Sequence, residues 1–136
     1  MPLMLVNEST STTVASRVEL ALDRNSRRRG LLGRPWMPPT SAMVISPCWA
    51  IHTAFMQFPI DVLFVDKHGR VVQVTRDLPA WRIAVSVRAR MVIELAAGVA
   101  AQRDINVGDR VALLDTDRSE ADIALGGRLP LEVRAC

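Results

Sequence analysis

The chain of 136 residues has no tyrosine, a single lysine and only two cysteines. Two cysteines cannot build the disulfide framework of a small stapled secreted scaffold. Three Phe and three Trp are its whole aromatic complement, and no stacking motif joins them, so a single-stranded nucleic-acid platform is not expected. The N-terminal MPLMLVNEST lacks the basic region and apolar run of a signal peptide, and no transmembrane segment is visible, so the expected location is cytoplasmic. Disorder is excluded by an apolar content of 49%. At this length one domain spanning 1–136 is expected.

Arginine supplies 16 of the 17 basic residues, with Lys67 the exception, against 14 acidic ones. Residues 1–40 hold six Arg against Glu8, Glu19 and Asp23, whereas the remaining 96 residues balance at 11 and 11. The excess therefore falls on Arg27, Arg28, Arg29 and Arg34. Such a cluster can meet a phosphate or an acidic partner, but with a net charge of only +3 a solvated face is the simpler expectation and nucleic acid is not expected as a partner.

Period-two alternation dominates. Val14, Val18, Leu20 and Leu22 alternate with Arg17 and Glu19, which predicts a half-buried strand. From Trp81 to Leu95 every odd position is apolar, and the 15-residue length calls for a break near Arg88–Arg90. Leu129, Leu131 and Val133 continue the pattern, with Pro130 marking an edge or bulge. Asp66-Lys67-His68-Gly69 reads as a hairpin turn between Ile60–Val65 and Val71–Val74, and Gly126-Gly127 as another. Gly108-Asp109 introduces a strand at Val111–Leu114. Ser26 is a candidate cap for a short helix through Leu32 that stops at Gly33, and Val99–Asp104 for one or two helical turns. The expected fold is mostly β, a single-domain β-sandwich or partly closed barrel with one or two short helices.

Residues 35–60 interrupt this rhythm. They carry no Asp, Glu, Lys or Arg, yet hold five of the eight prolines, two of the three Trp, Cys48 and His52. Repeated proline excludes a membrane span, so the segment either covers the core or lines a pocket. Cys48 and His52 stand four apart, alternation would set His52, Ala54, Met56 and Phe58 on one side, and Asp61 follows, where a carboxylate can orient an imidazole. That trio fits a cysteine nucleophile or, with Met56 as a soft fourth ligand, a zinc or copper site. The commoner roles are a buried Cys48, a satisfied His52 and a core Met56. His68 belongs to a turn, and Cys136 offers at most a reactive thiol.

Several blocks are familiar together. Arg29-Gly30-Leu31-Leu32-Gly33-Arg34, Ile51-His52-Thr53-Ala54-Phe55-Met56 and Pro59-Ile60-Asp61-Val62-Leu63-Phe64-Val65-Asp66 resemble the signature blocks of the domain-of-unknown-function 192 (DUF192) family. Gly69-Arg70-Val71-Val72, Pro79-Ala80-Trp81-Arg82, Val92-Ile93-Glu94-Leu95-Ala96-Ala97-Gly98 and Ile105-Asn106-Val107-Gly108-Asp109 continue the likeness across about residues 14–115. One departure is Ala80, inserted where relatives run Pro-Trp-Arg, which weakens a role for Arg82. The resemblance implies a compact β-sandwich or barrel-like domain, found in bacteria and archaea, often exported or membrane-anchored, and no defined reaction.

Resemblance and residues together nominate His52, Thr53, Met56, Asp61, Trp81, Arg82 and Glu94 as ligand-binding, with Cys48, His52 and Asp61 the candidate metal set. No cofactor is predicted, although a metal stays possible. The leading function is a non-catalytic domain that binds a small ligand or protein partner. The alternative is a metal-binding or Cys/His-dependent hydrolase-type enzyme. A monomer or weak dimer is expected, since Pro130 and the flanking arginines blunt an open edge.

Overall fold

The computed structural model describes residues 2–116; the turn expected at Gly126-Gly127 and the strand expected at 128–135 lie outside them. Ten strands and two short helices follow in the order β1 (Leu3–Asn7), β2 (Thr12–Ala15), β3 (Arg17–Ala21), α1 (Arg24–Arg29), β4 (Ser41–Ile45), β5 (Ala50–His52), β6 (Ile60–Val65), β7 (Val71–Leu78), β8 (Ile83–Val85), β9 (Met91–Ala96), α2 (Val99–Gln102) and β10 (Val111–Asp115). The mostly β expectation holds, and the sheets do not close into a barrel. A five-stranded sheet runs β3-β4-β9-β6-β7, a three-stranded sheet β10-β1-β2, and β5 pairs with β8 alone. Among the described strands only β3 and β4 run parallel.

The five-stranded sheet is buried on both faces, which explains why its central strands read as continuous apolar runs. All six residues of β6 are buried. Leu63, Val65, Met91, Ile93 and Leu95 point to one side, where they meet Leu5, Val14, Val111 and Leu113 of the three-stranded sheet. Val62, Phe64 and Val92 point to the other and pack with Leu31, Met37, Ile45, Cys48 and Ala84. Part of the uncharged segment is therefore β4, whose Ala42–Ile45 are all buried, and part is the cover over the second face. Among the described residues no helix is long and apolar enough to cross a membrane.

Local signals place most turns. Gly69, with φ +82°, closes the β6–β7 hairpin, and a Cβ there would lie 3.1 Å from the Val111 carbonyl oxygen. Asp66 accepts from the backbone N–H groups of His68 and Arg70 across the same turn.

Three expectations are corrected. The strand read across 14–22 is two strands in different sheets, divided at Ser16, whose N–H donates to Thr40. The first helix is capped by Asp23, not Ser26: the Asp23 carboxylate accepts from the Ser26 N–H at 2.8 Å, and the helix stops at Gly30, not Gly33. The second helix is a single turn, Val99–Gln102, within the one or two turns expected. The alternation over 81–95 is broken as expected, at 86–90, but its first half is turned outward. Trp81, Ile83, Val85 and Val87 are exposed, while from Ala89 onward the odd positions are buried.

Candidate functional site

Glu94 sits in the middle of β9, opposite Met43 of β4 and Val62 of β6. Strand alternation turns it toward the second core face, with Val92, and its side chain is only 5% exposed. Its Oε2 is buried with no hydrogen-bond partner among the described residues. Burial in apolar surroundings raises its pKa from 4.5 to about 7, opposed by the positive field of Arg34. Arg34 itself is held by Glu19, whose two oxygens accept from its guanidinium at 3.1 and 2.6 Å. That charge-assisted hydrogen bond is the chief cause of the raised Arg34 pKa. The arginine is thus committed outward and leaves Glu94 unpaired.

Glu94 forms part of the lining of a cavity of about 540 Å³, a size that accommodates a small organic molecule. The helix α1 and the turn after it supply one wall, with Arg24, Arg27, Arg28 and Arg29. Cys48, His52 and Met56 supply the other, and Leu31, Leu32 and Ile45 are apolar parts of the lining. Arg27 is partly committed, donating to the Leu22 carbonyl at 2.8 Å. The cavity therefore combines four guanidinium groups, an apolar body and a buried carboxyl. A molecule with an anionic group and a hydrogen-bond donor at opposite ends can satisfy both.

The structure divides the residues nominated from sequence. His52, Met56 and Glu94 come together on this cavity, joined by Cys48. The helical wall was missed, because the arginine cluster read as a solvated face. Arg24, Arg27 and Arg28 at i, i+3 and i+4 share one side of α1, a spacing that could have found it.

Thr53 is buried and holds two loops together. Its Oγ1 donates to the Pro79 carbonyl at 2.7 Å and accepts from the Arg82 N–H at 2.9 Å, while its carbonyl accepts from Trp81. Because the chain turns at this point, with Phe55 at φ +65°, the alternation expected over 51–58 does not form. His52 is exposed, and Phe58 lies in a separate cleft with Gln57 and Asp77.

Asp61 does not orient His52. Two residues of β7, Arg76 and Asp77, stand opposite Asp61 where the register slips, and the buried carboxylate takes up three backbone N–H groups there. Oδ1 accepts from Asp77 at 2.8 Å, and Oδ2 from Gly98 at 3.0 Å and Ala100 at 2.9 Å. It fastens the bulge and the start of α2 to the sheet. The proposed Cys48, His52 and Asp61 metal set is therefore not assembled, and among the described residues no three His, Cys, Asp or Glu side chains are grouped to hold an ion. The Cys48 thiol is buried and donates to the Ala50 carbonyl at 3.0 Å.

Trp81 and Arg82 do not line the cavity. Trp81, 61% exposed, meets Phe55 edge to face with ring centroids 4.5 Å apart, and Arg82 reaches back to the Trp81 carbonyl.

Residues 5–113 match the family model of DUF192, described as "Uncharacterized ACR". A UPF0127 protein of Pyrococcus horikoshii is 34% identical over 114 residues, covering 79% of this chain and 96% of the relative. One from Pyrococcus abyssi is 35% identical over 114 residues, covering 79% and 95%. A solved structure from Sinorhizobium meliloti 1021, described as a "putative transcription regulator", superposes with a TM-score of 0.70 at 25% identity, covering 80% of this chain and 89% of that one. A protein of unknown function from Novosphingobium aromaticivorans, 22% identical, has the same fold at a TM-score of 0.70, with 82% and 83% covered.

Proposed function

The chain belongs to the DUF192 family, and from its site we propose that it is a non-catalytic binding domain that seats a small molecule between α1 and β9. The observation that carries this reading is the buried Glu94 Oε2, which has no hydrogen-bond partner among the described residues and belongs to a side chain that lines a cavity. Leaving a buried carboxyl oxygen unsatisfied is costly, and a bound donor removes the cost. The ligand is anionic toward Arg24, Arg28 and Arg29 and offers an N–H or O–H group to Glu94. Its aliphatic middle packs on Leu31, Ile45 and Met56.

A matched set of probes tests this by amide NMR and calorimetry: ε-aminocaproate, with both ends; caproate, with the anion alone; and hexylamine, with the donor alone. The expected result is tightest binding of ε-aminocaproate, with shifts at α1 and Ala50–His52, and an advantage over caproate that disappears in Glu94→Leu. If none of the three perturbs α1 or Ala50–His52, the reading fails.

A further inference from the structure

The two-stranded sheet β5–β8 presents an apolar face to solvent. Ile83 and Val87 are 76% and 77% exposed, and Trp81, Phe55 and Val85 join them. Trp81 and Phe55 both hold φ near +65°, an unfavoured backbone for such residues, and Thr53 pins the loops that carry them. In the β5–β8 pairing Ile83 is opposite His52 and Val85 is opposite Ala50. Directly opposed residues of an antiparallel pair share a face, and His52 and Ala50 also line the cavity. The apolar stripe is thus continuous with the cavity wall that α1 faces.

The charge of the segments that build this region is one-sided. Residues 24–60 and 78–93 together contain eight arginines and no aspartate or glutamate. Arg24, Arg28, Arg29, Arg82, Arg88 and Arg90 are exposed. The carboxylates next to these segments in sequence are Asp23 and Asp77, both exposed, and Glu94, which is buried.

We propose that this face docks on the surface of an anionic lipid bilayer, with Trp81, Ile83, Val85, Val87 and Phe55 entering the interface and the surrounding arginines meeting the headgroups. The stripe lies on the exposed side of the two-stranded β5–β8 sheet and the loops beside it, so it suits a soft apolar boundary. Exposed aromatic and aliphatic side chains accompanied by arginine are what such a boundary takes up. Anionic headgroups complement the exposed arginines of these segments. The inference does not depend on which molecule fills the cavity.

Co-sedimentation of the full chain with vesicles tests it, using equimolar phosphatidylglycerol and phosphatidylcholine against phosphatidylcholine alone. The expected result is binding to the anionic vesicles only, weakened by added salt. A blue shift of tryptophan emission should accompany it and disappear in Trp81→Phe. The double variant Ile83→Asp/Val87→Asp alters two exposed positions and should keep its thermal unfolding profile while partitioning roughly tenfold or more less well. Failure to sediment with anionic vesicles overturns the proposal. So does equal sedimentation by the folded double variant, which would leave arginine attraction alone. Polyglutamate serves as a soluble control. If it produces the same Trp81 blue shift, the lipid assignment is overturned in favour of an acidic polypeptide.

Discussion

Gly30 runs alongside Glu94: a Cβ built on the glycine would lie 4.0 Å from the carboxyl Oε2 and 4.0 Å from Ile45 Cδ1. The glycine ends α1 at φ +45° and ψ −123°, a backbone that glycine adopts readily and other residues rarely do. Helix α1 can therefore stop abruptly there, and its arginines flank the same cavity as a buried acid. The two opposite charges are kept apart: Arg34 belongs to Glu19, and Glu94 has no partner of its own.

That separation makes stability depend on pH. The Glu94 pKa is raised from 4.5 to about 7 in the fold, so the native state holds its proton more tightly than the unfolded chain. The stabilisation is fully present below about pH 4.5 and is lost as pH rises toward about 7. A shift of that size corresponds to about 3 kcal/mol. Glu94→Gln keeps the shape without the charge and should abolish this fall. The variant is expected to be more stable than the parent at pH 8, with the difference closing at pH 5, as read from urea unfolding across the range. Parallel pH profiles for both proteins would refute it.

Much of the fold was legible because its signals are local. Alternation and turn chemistry placed the β6–β7 hairpin with Gly69 at its turn, and β9 with a break before it. Orientation was less legible. Trp81, Ile83, Val85 and Val87 follow the same alternation as Met91, Ile93 and Leu95, yet only the latter pack against another sheet; among the described strands β8 pairs with β5 alone. The site was legible in part. His52, Met56 and Glu94 do meet at one cavity, whereas Asp61 is drawn to backbone N–H groups on β7 and α2 that no local pattern announces.

Asp61 is expected to matter for stability and not for the ligand. Three N–H groups depend on its two oxygens, and Asp61→Asn replaces one acceptor with a donor that faces them. A loss of about 2–4 kcal/mol is expected in chemical unfolding. Binding of ε-aminocaproate to the folded fraction should be unchanged. A loss of binding without a loss of stability would restore Asp61 to the site.

Cys48 should be a poor nucleophile. Its thiol is buried and donates a hydrogen bond to the Ala50 carbonyl, an arrangement that keeps reagents from the sulfur. In a Cys136→Ser background, alkylation by iodoacetamide should be at least roughly tenfold slower in the folded chain than in urea. Labelling as fast as in the unfolded chain would revive the cysteine-enzyme reading.

Thr53 links the cavity wall to the apolar stripe. The residue follows His52 directly, and its hydroxyl ties the Phe55 loop to Pro79 and Arg82. Thr53→Val preserves the shape and removes the hydroxyl, leaving the Arg82 N–H and the Pro79 carbonyl without this partner. A cost of about 1–3 kcal/mol is expected, together with loss of the fixed Phe55–Trp81 edge-to-face pair, visible in the near-ultraviolet circular dichroism of Trp81. Thr53→Ser keeps the hydroxyl and should preserve that signal even where it gives up some packing. If valine retains the signal and serine does not, then the methyl group and not the hydroxyl holds the loops, and the hydrogen-bonded role assigned to Thr53 is wrong.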